Sequence, residues 1–473
     1  MRSILAVLLL SLPAVALAQT SPVGSSTAPP GLQPVLREIA EAPSAERVEA
    51  DIRALAGFGT RHTLSDTLSE TRGIGAARRW IRAEFERISA ACGGCLEVVE
   101  QRGVVAGERR IPDSTVVVNV LAVLRGTADP DRYVVMSGDI DSRASDVMDF
   151  TSDAPGANDN ASGVAGVLEA ARVLSAYRFP ASIVFAALSG EEQGLFGGQI
   201  MAERAAEDGW RIEAVLNNDM IGNICGITGV CDNTSVRVFA EGTRVTETER
   251  EATLRRYTGG EVDSPSRNLA RYVDRIGERY VPNLDVMMIY RLDRFGRGGH
   301  HRPFNDAGYP AVRIMETNEH YDRQHQDLRT EDGRHFGDTV EFVDFDYAAK
   351  LTGLNAAVLA AMAWAPPPPS GVEIEGAVSA NTTLRWAPLP RERAPNLAGY
   401  KVYWRLTTEP EWTRSRWVGD VSGATLENVV IDNYLFGVAS VSEEGFESPV
   451  VFPGPAGTFE RLPPPAQRAE GEQ

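Results

Sequence analysis

Short apolar runs alternate along the chain with longer segments that place an apolar residue every three or four positions. Residues 116–123, 133–136, 182–188 and 215–219 predict strands. Residues 161–176 and 194–206 carry apolar side chains at helical spacing, and 347–364 form a long Ala/Leu-rich helical stretch. Two further apolar runs, 286–290 and 311–315, continue the series. Strands that alternate with helices imply βαβ units, hence a mostly parallel sheet flanked by helices. Residues 45–364 are therefore expected as one α/β domain.

The pattern breaks at residues 365–370, APPPPS, which reads as a stiff linker. Beyond it, residues 371–453 hold seven short strand candidates separated by turn signals, the pattern of an all-β sandwich. Trp386 in LRW, Tyr400 in GYKVYW and the string YLFGVASVSEEG give this segment a resemblance to a fibronectin type III domain. At the N-terminus, residues 1–18 combine one basic residue, an apolar run and the small-x-small end Ala16-Leu17-Ala18, as a secretory signal peptide does. The chain is thus expected to be exported, to a periplasm or outside the cell. Residues 19–44 are expected as a disordered leader and 454–473 as a disordered tail. No later stretch reaches the roughly 18 apolar residues of a spanning helix, so no transmembrane segment is expected.

Charge and cysteines narrow the field. With 47 Lys+Arg against 65 Asp+Glu the formal charge is −18, which disfavours nucleic acid as a partner. The four cysteines fall as close pairs, Cys92/Cys95 and Cys225/Cys231. Each pair suits a small local disulfide in an oxidising compartment. A zinc site made from all four thiolates is the alternative, and the spacing of the second pair speaks against it.

The chemistry lies in polar strings at the ends of predicted strands: SGDIDSR, GANDNASG, SGEEQGLFG, NNDMIG and HYDRQHQD. They supply Asp139, Asp141, Asp159, Glu191, Glu192, Asp219 and His325. In open α/β sheets ligands bind outside the carboxyl ends of the strands, where such residues would converge. Each has an ordinary explanation when taken alone. Asp159 reads as a helix N-cap, Glu191 and Glu192 as first-turn acids, Asp219 as a turn residue and His325 as a solvated side chain. Together, converging carboxylates repel one another unless cations lie among them, and carboxylates with a histidine suit zinc. The chain has neither a G-x-S-x-G elbow nor an H-E-x-x-H helix.

Taken together, the strings resemble metallopeptidase family 28, the co-catalytic two-zinc exopeptidases, across residues 61–364. The resemblance implies two divalent ions, with zinc expected and manganese or cobalt as alternatives at Asp139. It implies that Asp159 bridges the ions, that Glu192 and His325 complete one site and that Asp219 serves the other. Glu191 becomes the general base, Asp141 the group orienting the first ligand, and His301 in GHHRPF a substrate-side residue. Two positions depart from the family pattern: Asp139 stands where histidine is usual, and His300 where aspartate is usual. An aspartate ligand at 139 makes the site more negative and its ions weaker Lewis acids. The expected function is an exported metal-dependent exopeptidase acting on peptides or small amides, an aminopeptidase first. A carboxypeptidase is the alternative, as is a catalytically silent binding protein whose sandwich meets an unidentified partner.

Overall fold

A computed structural model of the chain describes residues 27–471. The expected signal peptide, 1–18, lies outside the described residues. Eight strands form the main sheet: β1 (Leu96–Val105), β2 (Thr115–Leu124), β3 (Asp129–Asp139), β4 (Ala181–Leu188), β5 (Arg211–Asn218), β6 (Ser235–Phe239), β7 (Asp285–Ile289) and β8 (Ala311–Glu316). Their order is β1-β2-β4-β3-β5-β8-β6-β7. The central run β4-β3-β5-β8 is parallel throughout, while β1 and β2 join it antiparallel and β6 pairs antiparallel with β8. The fold is thus mixed α/β around a mostly parallel centre.

Successive side chains of a strand point to opposite faces, and the two cores follow that alternation. Val134 and Met136 of β3, with Ile183 and Phe185 of β4, face the helices Gly163–Leu174 and Phe345–Trp364. Tyr133 and Val135, with Val184 and Ala186, face the helices Phe196–Glu207 and His301–Asp306. Gly138 at the end of β3 touches Gly163 at the head of the next helix. A Cβ at Gly138 would lie 2.5 Å from the Gly163 carbonyl carbon, so no larger residue fits there. That close approach brings the Asp159 loop over the end of the sheet.

The helix Pro34–Glu41 corrects part of the disordered-leader expectation. Leu36, Ile39 and Ala40 are buried against the helix Phe345–Trp364, because their spacing makes one apolar stripe. The proline run is also no free spacer: Pro366 to Pro369 are buried, and the Ser440 hydroxyl donates to the Pro367 carbonyl at 2.7 Å. Cys92 is bonded to Cys95 and Cys225 to Cys231.

After a small hairpin of β9 (Arg329–Glu331) and β10 (Arg334–Phe336), the C-terminal region forms two antiparallel three-stranded sheets. One orders β11 (Glu373–Glu375), β12 (Thr382–Arg385) and β15 (Gly423–Leu426). The other orders β14 (Arg414–Gly419), β13 (Leu397–Leu406) and β16 (Tyr434–Ser442). Trp386 and Tyr400 meet between them, with ring centroids 5.2 Å apart. The seventh expected strand contributes a single bridge, Val451 to Val438.

This unit is locked to the α/β part by buried charge. Asp263 accepts Arg405 at 2.7 and 2.9 Å and Arg271 at 3.0 Å. The remaining chain, expected as a disordered tail, instead runs back over the α/β part. Arg461 lies 5.5 Å over the Tyr309 ring, Arg468 pairs with Glu251 at 3.1 Å, and Pro465–Gly471 is helical. Polar composition hid these contacts, which rest on two arginines and one buried aromatic, Phe459, and not on an apolar stripe.

Replacing Asp263 by alanine leaves Arg405 and Arg271 as buried cations without their shared carboxylate. The expected loss is on the order of 3–5 kcal/mol, read from the urea midpoint at unchanged slope. A loss below about 1 kcal/mol would mean that this ion cluster does not hold the two parts together.

Candidate active site

The carboxyl ends of β3, β4 and β5 deliver acids to one edge of the sheet. Asp139 closes β3, Glu191 and Glu192 open the short helix after β4, and Asp219 follows β5 directly. Asp159 reaches the same edge from the loop over Gly163. Its backbone is fixed by Asp338, whose carboxylate accepts the N–H groups of Asn158 at 2.9 Å and Asp159 at 2.6 Å. Arg61 clamps the loop's entry through the Gly156 carbonyl at 2.9 Å.

Asp159, Glu192 and His325 come together. His325 Nε2 lies 3.0 Å from Asp159 Oδ2 and 3.0 Å from Glu192 Oε1. Among the described residues, this is the one set of three or more Asp, Glu, His or Cys donors within 4.8 Å of one another. The donor set, two carboxylates and one imidazole, fits a single zinc ion. His325 holds a φ of 54°, a left-handed conformation that a non-glycine residue adopts at a cost of roughly 1–3 kcal/mol. Burial pulls the His325 proton off, but the Glu192 and Asp159 carboxylates outweigh it and raise the imidazole to about 9. Against its own burial, Asp159 is held well below the usual carboxylate range by His325.

Glu191 stands beside the trio and lines the same cleft. Burial, reinforced by the charges of Asp219 and Glu192, pushes its carboxyl well above the usual range. A carboxyl tuned upward in a cleft is suited to exchange protons near neutral pH.

The other expected site residues occupy different bonds. Asp141 does not orient Asp139. It accepts the backbone N–H groups of Glu191 at 3.1 Å and Glu192 at 3.0 Å and the Thr63 hydroxyl at 3.0 Å, so it sets the pose of the Glu pair. Asp139 is fully buried and spent on two partners, His300 Nδ1 at 2.5 Å and Asn160 Nδ2 at 2.7 Å. Burial and Asp141 push Asp139 well up, while burial pushes His300 down to about 4, so neither is driven to ionise. Asp219 meets Arg313 Nη2 at 2.9 Å. Burial raises Asp219 to about 8 although the guanidinium pulls the other way. His301, expected on the substrate side, is fully buried and bonds the Leu292 carbonyl at 2.8 Å, away from the cleft lining.

Arg313, Asp338, Thr63 and Gln324, whose amide donates to Asp159 Oδ2 at 3.2 Å, were absent from the expected site. Arg313 had left a signal: a lone cation inside the apolar run of β8 must find a buried acid. Asp338 lies in a polar loop and gave none.

The acids open onto a cleft of about 1230 Å³. Its walls carry Arg110, Arg143, Arg294, Arg297, Arg302 and Arg461, and the C-terminal segment adds Pro464 and Gln467. No helix among the described residues is long and apolar enough to cross a membrane.

Comparison with known proteins gives the chain its kin. A profile described as Peptidase family M28 matches residues 119–342. A probable zinc metalloprotease of Leptosphaeria maculans is 44% identical over 427 residues, which cover 90% of this chain and 98% of that protein. A probable zinc metalloprotease of Pyricularia oryzae is 44% identical over 444 residues, 92% of this chain and 88% of the other. Among solved structures, LapB from Legionella pneumophila superposes with a TM-score of 0.49 at 17% identity, covering 70% of this chain and 75% of that one.

Zinc at this trio has to displace the proton that His325 carries below pH about 9. Affinity is therefore expected to rise about tenfold per pH unit from neutral pH and to level off near pH 9. Competition with a chelating dye across that range reads the slope, and a flat profile would remove His325 from the ligand set.

Proposed function

The chain belongs to peptidase family M28 and is a zinc metallopeptidase; on that premise we propose that it is an exported exopeptidase removing N-terminal residues from peptides. The observation that carries the reading is Glu191 beside the Asp159–Glu192–His325 trio on the cleft wall. Asp159, Glu192 and His325 would hold a zinc ion, which would supply Lewis acidity for a carbonyl and lower the pKa of a bound water. Glu191 takes the proton of the attacking water and returns it to the departing amine. Its upward-shifted carboxyl suits both halves of that exchange. Asp141 keeps Glu191 and Glu192 in register through their backbone N–H groups.

The signal-peptide pattern of residues 1–18 and the two short-range disulfides support export. The paired antiparallel sheets after residue 371 support a fibronectin type III-like accessory domain. One observation favours a second reading, a carboxypeptidase: the cleft presents arginines such as Arg297 and Arg302, which suit a substrate carboxylate.

Aminoacyl-p-nitroanilides and N-blocked peptides with a free carboxylate distinguish the readings. The expected result is release from the free-amine substrates, lost on chelation and restored by zinc. Glu191→Gln is expected to lower kcat about 10²–10⁴-fold. Turnover of the N-blocked peptides alone would make the chain a carboxypeptidase, and no turnover of either class would leave a silent binding protein.

A further inference from the structure

We infer that the active site of this chain is built for one metal ion, and that the Arg313 guanidinium stands in for the charge of a second. The inference rests on the metallopeptidase reading of the site and differs from the two-ion arrangement that the family resemblance implies. A second ion would need Asp139 and Asp219, with Asp159 shared between the two ions. Asp139 has both oxygens engaged, and Asp219, which lines the cleft, gives one oxygen to Arg313.

Asp139 uses both oxygens. Oδ1 meets His300 Nδ1 at 2.5 Å and Oδ2 accepts Asn160 Nδ2 at 2.7 Å. Asn160 is itself pinned by donating to the Asn218 carbonyl at 2.8 Å. The two departures from the family pattern therefore contact each other and form one closed pair: the acid at 139 is satisfied by the imidazole at 300. An acid in such a buried place needs a hydrogen-bond or charge partner, and here the histidine and the amide supply it.

Asp219 is claimed from the other side. Arg313 Nη2 lies 2.9 Å from Asp219 Oδ2 and 3.1 Å from the Asp219 carbonyl. Nη1 lies 3.1 and 3.2 Å from the two oxygens of Asp293. Nη1 also donates to the Gly298 carbonyl at 2.5 Å. The side chain is fully buried in β8, whose register sets Arg313 opposite Asn217 of β5, two residues before Asp219. A guanidinium fixed by two carboxylates and two carbonyls cannot swing away to admit a dication, and its own positive charge repels one. Donor geometry agrees. Among the described residues, Asp159, Glu192 and His325 form a compact donor set, and Asp139 with Asp219 forms none.

The test counts metal and does not depend on turnover. The full exported chain, stripped with a chelator and re-equilibrated with zinc well past saturation, is examined by native mass spectrometry and elemental analysis. One tightly held zinc per chain is expected, and the count stays at one in Asp219→Asn. The double variant His325→Ala, Glu192→Gln is expected to hold none. Two zinc ions in the wild-type chain, falling to one in Asp219→Asn, would overturn the inference. No tightly held zinc in the wild type would instead overturn the Asp159–Glu192–His325 site on which the function rests, so the two failures are told apart. Because the deciding count is made on the unaltered chain, a variant that fails to fold does not blunt the test. A gain of a second zinc in Asp139→His, His300→Asp, Arg313→Met would show that these three residues alone exclude it, and its failure to gain one while folded would overturn that assignment.

Discussion

Negative charge crowded at one edge of the sheet is the constraint that the rest of this structure answers. Asp139, Asp141, Asp159, Glu191, Glu192 and Asp219 lie within one another's fields. Two like charges about 4 Å apart repel by about 4 kcal/mol where the effective dielectric constant is about 20. Such a cluster survives where its members find a donor or cation or, as at Glu191, are pushed towards the protonated form. Asp141 takes two backbone N–H groups, Asp139 takes an imidazole and an amide, Asp219 takes a guanidinium, and Asp159 shares His325 with Glu192. Three kinds of neutralisation, dipolar, proton-sharing and ionic, are thus used side by side.

Those donors come from far along the chain, and that requirement reaches into the architecture. Arg313 meets Asp219 because β8 runs parallel to β5, so that their carboxyl ends share an edge. Asp338 reaches back about 180 residues to hold the backbone of the Asp159 loop. Gly138 and Gly163 let that loop sit directly over β3. The C-terminal part is drawn in as well: the strand unit docks through Asp263, and the segment after it contributes Arg461, Pro464 and Gln467 to the cleft wall. An accessory unit fixed in this way becomes part of the wall of the cleft onto which the acids open.

The fold was legible where burial is two-sided. The runs at 182–188 and 311–315 are apolar because both faces of those strands are covered, and their bounds emerge nearly unchanged as β4 and β8. By contrast, β1 has one half-exposed face, so LEVVEQRGVV carried no comparable signal. The acids were legible because most of them sit at or just after a strand end, and Asp159 just before a helix. Their partners were not, since a hydrogen-bond acceptor does not announce which distant donor will meet it. The segments 34–41 and 454–471 were misjudged for the same reason. Pro, Ser and Gly content marks a weak local preference, whereas Leu36, Ile39, Arg461 and Arg468 are ordered by contacts with residues hundreds of positions away.

Asp139 and His300 show how two unfavourable substitutions become one neutral exchange. Taken singly, an aspartate at 139 is a shorter, charged substitute for an imidazole ligand, and a histidine at 300 removes an acid. Joined at 2.5 Å through His300 Nδ1, they keep one acid and one imidazole in the same buried volume, with both Asp139 oxygens satisfied. Arg313 completes the logic, because an ion lost from beside Asp219 would otherwise leave that acid without a counter-charge. A fixed guanidinium differs from a zinc ion in one respect that matters for the chemistry. It balances charge but offers no open coordination position, and it lies behind Asp219, outside the cleft lining. On the one-ion proposal, substrate polarisation would fall on the single trio and proton handling on Glu191, whose backbone N–H is held by Asp141.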